Sequence, residues 1–364
     1  MMNLIKGFLL PLLIISLSSA SGQLEPAPET DSKNLKFTAL PILYYLPETG
    51  LGYGGLGVAT FRFERVKKET RPSSLQLALS LTTKRQFLLF APYELYWKDD
   101  KWRLVGELGY YEYIYNFYGI GIDSREGDKE TYNVTFPRIR MALLRELLPN
   151  FSFGLSYELD GYHNLEKAEE GMLASAAVPG IEGGTVSNVG ITAIYDTRDN
   201  IFHPTRGVFI QTGVHTSAGF LGSSFDYDKV ELDARYYQRI KGRHILAFDF
   251  FTAGSSSGTP FMAYYYLGSK RTRGFNDRRF LGLSELTAVI EYRFPVAGRF
   301  GATVFSSTGT VASRFSRLFS SGFKTSYGAG LRYILNKKEG VRLRVDYGLS
   351  SEGGNLYFTI NEAF

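Results

Sequence analysis

The sequence predicts an all-β fold, a sixteen-stranded antiparallel barrel that spans a membrane. Three observations point there. The chain of 364 residues carries 25 Tyr, 28 Phe and 39 Gly, a mix suited to strands and tight turns. Hydrophobicity alternates with period two along segment after segment of about ten residues, the length of a tilted membrane-crossing strand. Past residue 20 no apolar run is long enough for a transmembrane helix, so an exported chain of this pattern is either soluble or a closed barrel.

Composition narrows the function classes. The chain has no cysteine, which removes disulfide frameworks, thiolate metal sites and a lipoprotein anchor. Its net charge of +5 is small and scattered, so nothing favours nucleic acid as a partner. Residues 1–20 read as a secretory signal peptide: Lys6 gives the positive start, Phe8 to Leu17 the apolar stretch, and Ser18-Ser19-Ala20 the small-residue cleavage site. Residues 21–35 are polar and Pro-rich, a flexible tail. The barrel is expected over 36–364.

Strands are expected at 37–46, 51–64, 74–83, 86–97, 102–113, 132–147, 151–163 and 188–198. The second half continues at 208–220, 227–240, 244–254, 285–295, 301–312, 325–335, 341–349 and 355–364. Gly50-x-Gly52-x-x-Gly55 has the form of a dinucleotide fingerprint, but strand pattern follows it where a helix would be needed. Pro41 sits inside the first strand and removes a ladder donor, and Gly353-Gly354 precede the last, so the first and last strands should meet at a weak seam. Rows of charge such as Arg342, Arg344 and Asp346 fall on one face of a strand. Aromatics crowd strand ends (Tyr93, Tyr96 and Trp97; Tyr110 to Tyr113; Tyr236 and Tyr237; Tyr264 to Tyr266), as interfacial girdles do. Phe364 closes the last strand at the parity of Leu356, Phe358 and Ile360.

The long basic loop before residue 285 carries the most specific signal. It contains Thr272-Arg273-Gly274-Phe275, and the strand after it puts Glu285, Thr287, Glu291 and Arg293 on its polar face. A glutamate on a wall that faces a protein interior needs a cation, and Arg273 is the nearest candidate. This pairing of loop and strand resembles the signature of the BamA/TamA-type outer-membrane assembly barrels, the bacterial surface antigen family. That resemblance implies that the sixth surface loop of a sixteen-stranded barrel folds back into the lumen, with Arg273 meeting a wall acid at Glu291. The loop lies between the eleventh and twelfth expected strands, which makes it the sixth long loop. Thr272 stands where the family has an aliphatic residue.

Two further stretches extend the resemblance. The segment from Asp196 and Arg198 through Asp199 and Pro204 to Gly207 is similar to a periplasmic hairpin of the same barrels, and its residue types are those of a well-made turn. Phe305-Ser306-Ser307-Thr308-Gly309-Thr310-Val311 matches a family motif whose acid also meets the loop arginine, but Ser307 stands in the acidic place. The coupling of Arg273 is therefore expected to rest mainly on Glu291, while Arg278→Ala, outside the motif, is expected to be nearly silent. Large members carry periplasmic POTRA domains, for which residues 21–35 leave no room.

No enzymatic constellation stands out. His163, His203, His215 and His244 form no recognisable set with a nucleophile and an acid, and each is expected at the surface or in a girdle. No cofactor or metal site is expected. The resemblance implies an outer-membrane protein of a diderm bacterium that aids insertion or translocation of proteins at the first/last-strand seam. Its expected partners are outer-membrane lipid, client outer-membrane proteins and a separate periplasmic protein. The alternative is a passive pore or structural barrel.

Overall fold

A computed structural model describes residues 35–63, 73–268, 271–336 and 341–364. The leader expected over 1–20, nearly all of the tail expected over 21–35, and Glu64 lie outside these residues.

The first eight strands are β1 (Lys36–Leu46), β2 (Gly50–Phe61), β3 (Ser73–Thr82), β4 (Phe87–Trp97), β5 (Trp102–Phe117), β6 (Glu130–Leu148), β7 (Phe151–Glu166) and β8 (Gly184–Asp196). Then come β9 (Gly207–Ser217), β10 (Tyr227–Lys241), β11 (His244–Ser255), β12 (Tyr265–Leu267) and β13 (Phe280–Gly282). The chain ends with β14 (Ser284–Ala297), β15 (Phe300–Ala312), β16 (Lys324–Asn336), β17 (Val341–Ser350) and β18 (Gly353–Ile360). All but β12 and β13 form one closed antiparallel barrel in which β18 returns to β1. The sixteen wall strands follow the alternation read from the sequence. The short β12–β13 hairpin lies within the loop between β11 and β14; its strands pair with each other, and Leu281 also bridges to Ile120.

The period-two pattern separates two environments along each strand. On β3, Leu75, Leu77, Leu79 and Leu81 are exposed while Ala78, Ser80 and Thr82 are buried. On β17, Arg344 and Asp346 are buried and Tyr347 is exposed. The outer surface is therefore apolar and the inner one polar, which is the inverse of a water-soluble sandwich and suits lipid outside. No helix among the described residues is long and apolar enough to cross a membrane.

Part of the interior is aromatic. Tyr44, Tyr111, Tyr113, Tyr115, Phe136 and Phe261 belong to one buried cluster. This corrects the reading of all strand-end aromatics as girdles. Tyr110 and Tyr236 are exposed, but Tyr111, Tyr113 and Tyr237 are buried, because neighbours in a strand point to opposite faces, and Tyr264 and Tyr265 are buried within the loop between β11 and β14.

The end of the chain also departs from expectation. β18 stops at Ile360, and Asn361 adopts φ 63°, a left-handed conformation that asparagine tolerates. The last residues then turn off the wall, and Phe364 packs with Tyr237, Ala247 and Val289 inside the barrel. Phe364 is 7% exposed and does not continue the outward row of Leu356.

Candidate functional site

The loop between β11 and β14 is where sequence and structure concentrate charge. Arg273 is wholly buried, and its Nη2 donates to Glu291 Oε2 on β14 at 2.5 Å. Its Nη1 donates to Asp346 Oδ2 on β17, and the guanidinium lies 3.5 Å from the centre of the Phe305 ring. A planar guanidinium can serve two acids and a ring face at once, which a lysine could not. Arg293 Nε reaches the other Glu291 oxygen at 2.7 Å, and Arg332 Nη1 reaches the other Asp346 oxygen at 2.5 Å. Each acid is thus held between two arginines. That is the condition under which charges removed from water remain charged.

The rest of the motif explains how the backbone gets there. Thr272 Oγ1 accepts from the Gly268 amide at 2.6 Å, closing the turn before Arg273. Gly274 has φ 116° and donates its amide to the Tyr357 hydroxyl at 3.0 Å. A Cβ at Gly274 would lie 2.9 Å from Leu349 backbone, so only glycine permits this approach to β17. Phe275 is buried with Leu267, Phe280 and Val311.

The structure brings Arg273 and Glu291 together but leaves Ser307 apart. Ser307 is buried, and its hydroxyl bonds Ser326 Oγ at 2.7 Å. The second acid is Asp346 instead, supplied by a strand two places further round the wall. Its charge row was legible in the sequence, but nothing local marked Asp346 as the partner of a loop 73 residues away.

Arg278 is not a surface residue. It is 5% exposed, donates to the carbonyls of Met262 at 3.3 Å and Phe261 at 3.1 Å, and lies over the rings of Tyr115 and Tyr266. Arg279 donates to Glu352 and Ser124, and Arg271 to Asp249 and Asp233. The four loop arginines are tied down, each to different partners. Beside them, Asp277 is buried and Glu48 partly so; burial pushes both carboxyls up, and the charge of Asp277 pushes Glu48 up further.

The 197–206 turn is built from its own side chains. Arg198 forms a two-pronged pair with Asp196 at 2.9 and 2.7 Å. Asp199 accepts the Thr205 amide at 2.8 Å, and Asn200 accepts the amides of Phe202 and His203, each at 2.8 Å. Pro204 is buried, and Gly207 has φ 108° with the Thr197 carbonyl 2.4 Å from where a Cβ would stand. His203 Nδ1 meets Glu362 Oε1 at 3.0 Å, which ties this turn to the inturned end of the chain. Pro41 lies exposed on β1 opposite Gly55.

Two histidines correct the expectation of surface positions, since His203 and His215 are 7% and 5% exposed. His215 Nε2 bonds Ser156 Oγ at 2.8 Å. That pair is not a charge-oriented dyad, because Nδ1 has no hydrogen-bond partner and Glu158 approaches the same Nε2 at 3.9 Å. Among the described residues no group of three or more His, Asp or Glu could hold a metal ion.

The sequence pattern of the Omp85 superfamily domain matches residues 71–364. The chain belongs to the Omp85 superfamily. Solved structures share its fold at low identity. BamA from Haemophilus ducreyi lacking POTRA domains 1–3 matches with TM-score 0.61 and 16% identity over 90% of this chain and 70% of that one. CdiB from Escherichia coli gives TM-score 0.63 and 12% identity over 97% and 67%. CdiB from Acinetobacter baumannii gives 0.57 and 13% over 90% and 59%, so this chain spans between three-fifths and seven-tenths of these proteins. No curated protein matches. As an Omp85 barrel the protein resides in the bacterial outer membrane, contacts lipid, and belongs to a family that is not enzymatic.

Proposed function

We propose that this Omp85 barrel aids the insertion or translocation of proteins at the outer membrane through a weak seam between β1 and β18. One observation carries this reading. β1 pairs with β2 along its whole length, from Lys36↔Thr60 to Leu46↔Gly50, whereas among the described residues β1 and β18 pair only at Tyr45↔Phe358. The early end of β18 at Ile360 and Pro41 on β1 are the local causes. An unpaired strand edge is a template for an incoming strand, so a client segment can add there by backbone hydrogen bonding.

The loop between β11 and β14 would then fold into the lumen as an internal brace. The burial of Phe261, Arg273, Phe275 and Phe280, and the reach of Arg273 to both β14 and β17, support this. In this arrangement the 197–206 turn faces the periplasm. The same reading has residues 1–20 direct export and residues 21–35 serve as a polar tail, with a separate periplasmic protein as partner.

The purified barrel in liposomes tests the proposal. Faster folding of a client outer-membrane protein than in empty liposomes is the expected result. Ion conductance with no effect on client folding would reject it and leave a passive pore.

A further inference from the structure

A cavity of about 260 Å³ opens at the end of the barrel that carries the 197–206 turn. Arg239, Arg243, Arg293, Arg332, Arg342 and His203 line it, and no carboxylate among the described residues does. Arg239 and Arg243 are exposed, so the cavity is open to water on their side. Arg293 and Arg332 are 2% and 1% exposed. Three of these guanidiniums keep N–H groups without a hydrogen-bond partner: Arg293 Nη1, Arg332 Nη2 and Arg342 Nε.

Among the described residues the surrounding network has more cations than acids. There Arg273, Arg293, Arg332, Arg342 and Arg344 share Glu291, Asp346 and Glu362. Glu362 and Glu291 are already engaged, through Arg332 Nε at 2.7 Å and Arg293 Nε at 2.7 Å. A buried excess of cations with idle donors is stabilised by a bound anion.

We propose that this cavity is an anion-binding site that takes a phosphate group. The donors come from β10, β14, β16, β17 and the turn after β10, so they approach from several sides of one space. A tetrahedral oxyanion presents acceptors in all those directions, whereas a carboxylate presents two in one plane. The phosphate belongs either to a soluble ester or ion, or to the headgroup of an anionic phospholipid that reaches the barrel mouth. The chemistry is the same for both.

Calorimetric titration of the full chain in neutral detergent distinguishes them. One arm adds inorganic phosphate, a second adds micelles doped with short-chain phosphatidylglycerol, and acetate is the carboxylate control. Saturable binding is expected in at least one phosphate arm. It should weaken about tenfold in Arg342→Gln, the loss of one charge-assisted hydrogen bond. Arg243→Gln is a second variant on the exposed side, where folding is not at stake, and heat-dependent gel mobility confirms that each barrel is closed. Binding by inorganic phosphate assigns a soluble ligand, and binding by the doped micelles alone assigns a lipid. No saturation in either phosphate arm, acetate binding as tight as phosphate, or unchanged binding in both variants would overturn the proposal.

Discussion

Arg273 and Glu291 meet at 2.5 Å with neither side chain exposed to solvent. Removing one partner of such a pair leaves the other buried and uncompensated. Arg273→Ala should therefore cost about 3–5 kcal/mol, read as the shift in urea unfolding of the folded barrel. The coupling should be divided. Double-mutant cycles of Arg273 with Glu291 and with Asp346 should each give a clear interaction energy, and a cycle with Ser307 should give none. A cycle showing that Glu291 alone carries the coupling would contradict the geometry.

Arg278→Ala should be far from silent. It removes two hydrogen bonds to buried carbonyls and a cation between two tyrosine rings, a loss of about 2–4 kcal/mol. An unfolding midpoint equal to that of the parent would show that the loop around Phe261 is looser than described.

The seam should open before the rest of the wall. Cysteines at Tyr45 and Phe358 should crosslink, since these residues are partners in register. Hydrogen exchange in β1 and β18 should nevertheless outrun that in β17. Equal protection of all three strands would remove the basis for client pairing.

The paired acids Glu48 and Asp277 set a pH dependence. Burial raises both folded pKa values, to about 6 for Asp277 and, with the added repulsion of Asp277, to about 8 for Glu48, so the neutral forms favour the fold. Their contribution is present below the unfolded carboxyl range near about pH 4 and is lost as pH rises above it. Glu48→Gln should raise the melting temperature at pH 8 and lose that gain below about pH 4. A gain that persists at low pH would mean the pair is not the cause.

Glu362 should hold the end of the chain inside. A cysteine at Ala363, which is 4% exposed, should react slowly with a maleimide, and Glu362→Gln should speed the reaction several-fold by weakening the bonds to Arg332 and His203. Rapid labelling in the parent protein would place these residues outside.

The wall was legible because period two is a local property: each of the sixteen strands could be found from its own residues. Arg273, Gly274 and Glu291 were legible for a related reason, lying within one stretch of loop and strand. Asp346 was not, because its role depends on a strand that only barrel closure brings near. Phe364 misled because its alternation is intact in sequence, and the break comes from the left-handed backbone of Asn361, which asparagine permits without requiring. The burial of Arg278 was hidden for a similar reason. Its partners are main-chain carbonyls, which no residue type announces.

The double attachment of Arg273 makes the loop depend on the strands that close the wall. Glu291 follows the arginine by 18 residues, but Asp346 follows it by 73. Until β17 has joined the wall the guanidinium has one of its two carboxylate partners, and the main chain at Arg273 lacks Gly348, against which it packs so closely that a Cβ there would lie 2.6 Å away. The loop can settle only when the final third of the wall has arrived. An unfinished barrel leaves the arginine with one acid unmet, so the same pair of contacts that ties the loop to the finished wall also depends on its closure.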